Sequence, residues 1–237
     1  VRDGELTEFE LPNTPLSGGL TPDGRLVGII GENPDGSRII SVLNIENGFW
    51  IPVFTGTPDI NPTDDNPFFI AEYLYFGATN GNGTRGLYRV NPIAPSTPEL
   101  VLDDASESNM TPDGILIGFV RGGNIYVKNT SSQFTAQITN TGDCSSPIFD
   151  AVGFNLYYIC GGKLFVYGLD GVRPIADIFV SYVGLGPVDG TLIFGDGQVT
   201  YMSDLNGKNS RTFMKLSNLY IANIRWQPPL PMPAPRT

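Results

Sequence analysis

The stretch Thr21-Pro22-Asp23-Gly24-Arg25-Leu26-Val27-Gly28-Ile29 decides the fold, because it returns as Thr111-Pro112-Asp113-Gly114-Ile115-Leu116-Ile117-Gly118-Phe119. Three further segments share its Leu-led apolar core: Leu74-Tyr75-Phe76-Gly77, Leu156-Tyr157-Tyr158-Ile159 and Leu192-Ile193-Phe194-Gly195. Anchored on Leu26, Leu74, Leu116, Leu156 and Leu192, successive units begin 48, 42, 40 and 36 residues apart. A period of ~40–45 residues marks a propeller or another repeat array.

Working outward, each unit continues in one order. After the Leu-led strand comes a Gly- or Asn-containing turn and a second apolar strand: Ile39 to Leu43, Leu87 to Val90, Ile125 to Val127, Leu164 to Tyr167 and Val199 to Met202. Turns such as Glu46-Asn47-Gly48, Asp170-Gly171 and Asn206-Gly207 follow, dipeptides that tolerate the positive φ of a tight hairpin. A further strand closes the unit: Phe49 to Phe54, Glu99 to Leu102, Phe134 to Thr139, Arg173 to Ile178 and Arg211 to Leu216. With the short piece that precedes each Pro-Asp-Gly turn, the count is four strands per unit. No window of a dozen residues keeps 3.6-residue apolar spacing without a Gly or Pro. The expected class is all-β: four-stranded antiparallel blades of a β-propeller, with a β-sandwich as the alternative.

Thr-Pro-Asp-Gly, an apolar strand, a short polar turn and an Ile/Leu-Tyr/Phe-Val strand together resemble the WD40-like repeat of TolB-type β-propellers, over about residues 16 to 227. Pro147-Ile148-Phe149-Asp150 and Pro187-Val188-Asp189-Gly190 are degenerate forms of the same signature, Pro67-Phe68-Phe69 is a weaker one, and Arg225-Trp226-Gln227-Pro228 reads as the opening of another unit. The terminal strands Glu5 to Leu11 and Tyr220 to Trp226 add to five complete repeats, so a six-bladed ring with an abbreviated last blade is slightly favoured over a five-bladed one. The expected organisation is one propeller over residues 1–227, followed by a proline-rich tail or linker over 228–237. The resemblance implies a protein-interaction platform without catalytic machinery.

Composition narrows the function from another side. The 237 residues carry 14 Lys and Arg against 24 Asp and Glu, a formal charge of −10, which would repel a phosphate backbone and disfavours nucleic acid as a partner. The chain has no histidine, which excludes Ser-His-Asp and Cys-His nucleophilic sites. The longest apolar run, Ile175 to Val188, is broken by Asp177, Gly184, Gly186 and Pro187, so no segment reaches the ~18 residues of a spanning helix. Val1-Arg2-Asp3-Gly4 lacks the basic and apolar regions of a signal peptide, and the start reads as processed or truncated.

The two cysteines lie either side of the turn expected at Asp150 to Phe154. If antiparallel partners there sum to 304, Cys144 faces Cys160 across a hairpin, and a disulfide forms if the pair is non-hydrogen-bonded. Two reduced thiols are the alternative. A disulfide would favour an extracytoplasmic setting, whether periplasmic, cell-surface or secreted. Three sequons, at Asn82, Asn109 and Asn129, read first as turn residues.

Asp64-Asp65-Asn66 and Asp103-Asp104 with Glu107 offer oxygen clusters without a Ca²⁺-loop spacing, and read first as solvated loop charges. No catalytic, cofactor or metal residue is assigned. Phe49-Trp50, placed on an outer strand, is the candidate partner contact. The expected function is a non-catalytic extracytoplasmic binding or assembly module, its protein partner or second copy engaged through blade edges or terminal strands. Two alternatives stay open: a Ca²⁺-dependent hydrolase or lyase using channel carboxylates, and the propeller domain of a longer protein.

Overall fold

A computed structural model describes residues 9–21, 23–186 and 190–215. The chain groups into two compact units, Val1–Asp103 and Asp104–Thr237.

The first unit holds two sheets. One orders β1 (Thr14–Leu20), β2 (Leu26–Glu32), β3 (Arg38–Asn44) and β4 (Trp50–Thr55). The other orders β7 (Tyr73–Asn80), β8 (Arg85–Val90) and β9 (Glu99–Asp103), its first strand split into β5 (Ile60–Pro62) and β6 (Phe68–Ile70), both paired with β7. The second unit holds three sheets. These are β10 (Ser106–Met110) through β11 (Leu116–Arg121), β12 (Asn124–Asn129) and β13 (Thr135–Gln137); β14 (Cys144–Phe149) through β15 (Leu156–Cys160), β16 (Lys163–Gly168) and β17 (Gly171–Ala176); and β18 (Tyr182–Leu185) through β19 (Thr191–Gly195), β20 (Val199–Asp204) and β21 (Arg211–Lys215). Every pairing is antiparallel, and all but that of β5 with β7 join consecutive strands, the up-and-down order of propeller blades. Five four-stranded blades thus stand among the described residues. The segments on which the sixth blade rested lie outside them, apart from 9–11, which form no strand.

Thr and Asp of the two Thr-Pro-Asp-Gly turns make the same hydrogen bonds. Thr21 Oγ1 donates to Asp23 Oδ1 at 2.5 Å and accepts from the Leu26 amide at 3.0 Å, while Asp23 Oδ1 also takes the Arg25 amide at 3.1 Å. Thr111, Asp113, Ile115 and Leu116 repeat the set at 2.5, 3.0 and 2.9 Å. Threonine and aspartate are needed because together they satisfy the amides that the turn leaves unpaired.

The glycine four residues beyond each turn has a packing role. Gly28 faces Leu74 and Phe69 of the next blade, and Gly118 faces Leu156 and Phe149. Leu74 and Leu156 are equivalent positions, each paired with the last aromatic of its blade's first strand. Each glycine is therefore a socket for the leucine of the following blade, which closes the apolar layer between adjacent sheets. One such layer in the first unit includes Ile30, Ile40, Val42, Leu74 and Phe76.

Register corrects the repeat alignment by one residue. Strand pairing aligns Val27 and Ile117, not Leu26 and Leu116, with Leu74, Leu156 and Leu192. In the second strand of the third blade it is Ile117 that is fully buried, while Leu116 is half-exposed beside the turn. In this frame four blades carry a stacked aromatic pair across their second and third strands: Phe76–Tyr88, Phe119–Tyr126, Tyr158–Phe165 and Phe194–Tyr201. The first blade places Ile29 and Ser41 there.

Cys144 and Cys160 are bonded, with Cα atoms 4.1 Å apart. Their pairing keeps the sum of 304, but beside the turn the partners are Ile148 with Tyr157 and Phe149 with Leu156, so the expected register is off by one there. A bulge at Ser146, whose φ is 54°, absorbs the difference. The Cys144 amide donates outside the hairpin, to Gly123 O at 2.7 Å, as a non-hydrogen-bonded pair requires.

Candidate interaction face

Each blade has two ends. At the upper end the first strand turns into the second and the third into the fourth; at the lower end the second turns into the third. The two ends differ in chemistry. Lower-end turns are Pro34-Asp35-Gly36, Gly81-Asn82-Gly83, Gly122-Gly123, Gly161-Gly162 and Asp196-Gly197. The two Gly-Gly pairs have positive φ at both residues, the tight hairpin geometry that matches strand twist. None of these hairpin turns exposes a large apolar side chain, but the connection from β17 to β18 at the same end exposes Phe179 beside Gly162.

At the upper end the turn between third and fourth strands presents an exposed apolar residue in four of the five blades. These are Phe49 (65% exposed), Ile93 (83%), Phe134 (68%) and Leu169 (97%). In the fifth blade Leu205 instead packs against the buried cluster of Leu192 and Phe194. Phe49 and Phe134 occupy the same place in the same turn. The Asn44 and Asn129 amides each donate to the phenylalanine carbonyl at 2.9 Å, and the Asn side-chain oxygens hold the Glu46 amide in one turn and the Ser131 and Ser132 amides in the other. The backbone is fixed by these bonds, so the rings are held out in water by well-formed turns.

Phe49 and Trp50, singled out as a partner contact, therefore divide. Phe49 belongs to the turn and is exposed; Trp50 opens β4 opposite Leu43 and is only half-exposed. Phe134 likewise precedes its strand, which spans only Thr135–Gln137. The sequence carried a signal for the second ring: Asn44 and Phe49 share their five-residue spacing with Asn129 and Phe134, in the two blades that share Thr-Pro-Asp-Gly. In the second unit the upper ends also carry Ile115, Val152 and Phe154, all exposed. The β14–β15 turn lies against the β10–β11 turn there, since a methyl on Gly153 would meet Thr111 Cγ2 at 2.9 Å.

Of the carboxylates in the two acidic clusters, Asp65, Asp104 and Glu107 hold loops. Asp65 Oδ2 accepts from Thr63 Oγ1 at 3.0 Å, and its Oδ1 lies 3.8 Å from Arg85. Asp104 pairs with Arg121 at 3.0 Å. Glu107 sits in a bulge at φ 46° and accepts the amide of Ser146, itself a bulge residue, at 2.6 Å. Among the described residues the one group of three potential ligands is Asp143 with Cys144 and Cys160, and both sulfurs are spent in the disulfide. The turn aspartates Asp23, Asp35, Asp113 and Asp196 are held below the usual carboxylate range, by the Thr or Ser hydroxyl in the first three and by the Val199 amide in the last.

No family model matches the chain, and no curated protein matches it. Solved structures do. TolB from Acinetobacter baumannii is similar over 91% of this chain at 16% identity and a TM-score of 0.71, and this chain covers 58% of its length. A putative TolB from Agrobacterium tumefaciens is similar over 92% at 17% identity and a TM-score of 0.68, with 88% of that chain covered. The fold is that of a TolB-type β-propeller. Oligogalacturonate lyase from Vibrio parahaemolyticus shares the architecture at 13% identity and a TM-score of 0.61, over 86% of this chain and 65% of its own. Such identities establish the fold and leave function to the site.

Proposed function

We propose that the chain is a non-catalytic, extracytoplasmic protein-binding module that engages its partner through the upper ends of its blades. The observation that carries this reading is the exposed Phe, Ile and Leu in four upper turns, whereas the hairpin turns below are polar or glycine and, among the described residues, a single exposed ring, Phe179, lies beside them against Gly162. Exposed aromatic and aliphatic side chains on a rigid frame lose little entropy on binding and supply the apolar anchors of a protein interface. The Cys144–Cys160 bond supports a compartment that keeps disulfides oxidised. The engagement of Asp65, Asp104 and Glu107 in loop contacts favours binding over hydrolase or lyase chemistry.

Charge refines the partner. The first unit carries five Lys and Arg against fourteen Asp and Glu, whereas the second carries nine against ten. A partner that covers the first unit's upper end therefore presents apolar groups flanked by basic ones. The test is site-specific photo-crosslinking in extracytoplasmic extract of the source organism. The probe is placed at Phe49, Phe134 or Leu169 in one set and at Asn82 or Gln198 in the other. Within each unit, adducts from the upper positions alone are expected, and labelling that is equal at both ends would overturn the assignment.

A further inference from the structure

The sequence contains four Asn-Gly steps, at Asn47, Asn80, Asn82 and Asn206. In such a step the glycine amide nitrogen can attack the asparagine carboxamide carbon, because glycine has no Cβ to obstruct the approach. The four steps differ in what else the carboxamide is doing.

Three carboxamides are held. Asn47 Oδ1 accepts the Phe49 amide at 2.9 Å. Asn80 Oδ1 accepts two amides, from Asn82 and Thr84, both at 3.0 Å. Asn206 Oδ1 accepts from Arg173 Nη2 at 2.7 Å. To swing toward the following nitrogen, each of these side chains must first give up one or two bonds. Asn82 stands exposed at the tip of the turn between β7 and β8, and among the described residues none hydrogen-bonds its side chain. The glycine amide does not discriminate among the exposed steps: Gly48, Gly83 and Gly207 each donate to the carbonyl three or four residues back, at 2.8, 2.8 and 3.0 Å. Availability of the side chain therefore ranks them.

We infer that Asn82 is the site at which this protein deamidates first. The Gly83 nitrogen bonds to Asn82 Cγ, the Cγ–Nδ2 bond breaks, and ammonia leaves carrying the proton lost by Gly83. Water then opens the resulting five-membered imide at either carbonyl. One opening restores the chain with Asp at position 82; the other leaves an isoaspartyl link with an extra backbone carbon. Either product adds a negative charge to the lower end of the second blade, on a chain already at −10. The isoaspartyl product also breaks the spacing by which Asn80 Oδ1 holds both Asn82 N and Thr84 N.

The experiment is incubation of the full oxidised chain in mildly alkaline buffer, followed by peptide mapping with mass detection over time. The expected result is that the mass increase and ammonia release appear first in the peptide containing Asn82 to Thr84, at a rate several-fold above the other three steps. In Asn82→Gln that early phase is lost while the slower sites keep their rates. Earlier or equal modification at Asn47, Asn80 or Asn206, or an early phase that persists in Asn82→Gln, would overturn the assignment. Because isoaspartate and aspartate peptides separate chromatographically, the same map reads which way the imide opens.

Discussion

Replacing Gly28 by Ala would place a methyl carbon 2.6 Å from Leu74 Cδ1 and 3.2 Å from Phe69 Cε2. Carbon atoms attract at about 3.5–4.0 Å, so both approaches are repulsive. Leu74 and Phe69 belong to a buried cluster and have no open side into which to retreat. Overpacking of this kind costs about 1–3 kcal/mol. Against it stands a gain of roughly 0.4–1 kcal/mol from restricting the unfolded chain, available where the glycine does not need positive φ; Gly28 is not among the glycines that do. The net expectation is a loss of about 1–2 kcal/mol. At Gly118 the same methyl would lie 3.0 Å from Leu156 and 3.2 Å from Phe149, a smaller intrusion, and the loss falls to about 0–1 kcal/mol. Urea unfolding followed by circular dichroism measures both. The decisive background is Leu74→Ala, which alone costs about 2–5 kcal/mol but empties the socket. There Gly28→Ala should cost nothing or stabilise slightly, giving a coupling of about 1 kcal/mol or more. If Gly28→Ala is equally costly with and without the Leu74 side chain, or harmless in the parent, the socket reasoning is wrong.

Other outcomes follow from the same structure. The Cys144–Cys160 link spans 16 residues, so replacing both cysteines by serine should lower stability by about 2–4 kcal/mol, read from the urea midpoint. Tyr157 and Tyr158 are each pushed up to about 12, by burial above all and for Tyr157 also by Asp150. A raised folded value means that their contribution is complete below the ordinary tyrosine range and is lost as pH rises from there toward about 12. Phenolate absorbance in the native chain should therefore show these two rings ionising after the exposed tyrosines. At the acid end the sign reverses. Asp23, Asp35, Asp113 and Asp196 are depressed in the fold, so their contribution is present above the ordinary carboxylate range and disappears as pH falls through their lowered values. Carboxyl carbon titration by NMR should find these four among the last to protonate, and ordinary titration of Asp113 would contradict the turn geometry.

The blades were legible because turn chemistry and strand chemistry both repeat. Thr21 and Asp23 announce their turn from sequence, since their side-chain oxygens accept the Leu26 and Arg25 amides. The unbroken apolar runs that begin at Leu74, Leu156 and Leu192 mark strands buried on both faces. What escaped was register. Leu26 and Leu116 look equivalent to the other leucines, yet one extra residue between turn and core moves the equivalence to Val27 and Ile117. Bulges have the same effect at Ser146, where a non-glycine residue at positive φ leaves no mark in composition. The hairpin arithmetic for Cys144 and Cys160 reached the right pair because the bulge returned the register to the assumed sum.

The interaction face was harder to read for a different physical reason. A phenylalanine just before an apolar strand is indistinguishable in sequence from its first buried residue, and both Phe49 and Phe134 were drawn into strands on that ground. Side chains alternate along a strand, but a turn residue obeys no such period. Whether the ring faces the core is decided by where the hydrogen-bonded turn ends: the Asn44 and Asn129 amides close their turns on the carbonyls of Phe49 and Phe134. Pairing starts one residue later, so both rings fall outside the ladder and into solvent. An exposed aromatic fixed in this way is not a leftover of folding, because an Asn-x-x-x-x-Phe turn would close as well with a polar residue in the last position. The turn uses only the backbone of that residue. Its side chain is free to be chosen for another purpose, and in both of these blades it is an exposed phenylalanine.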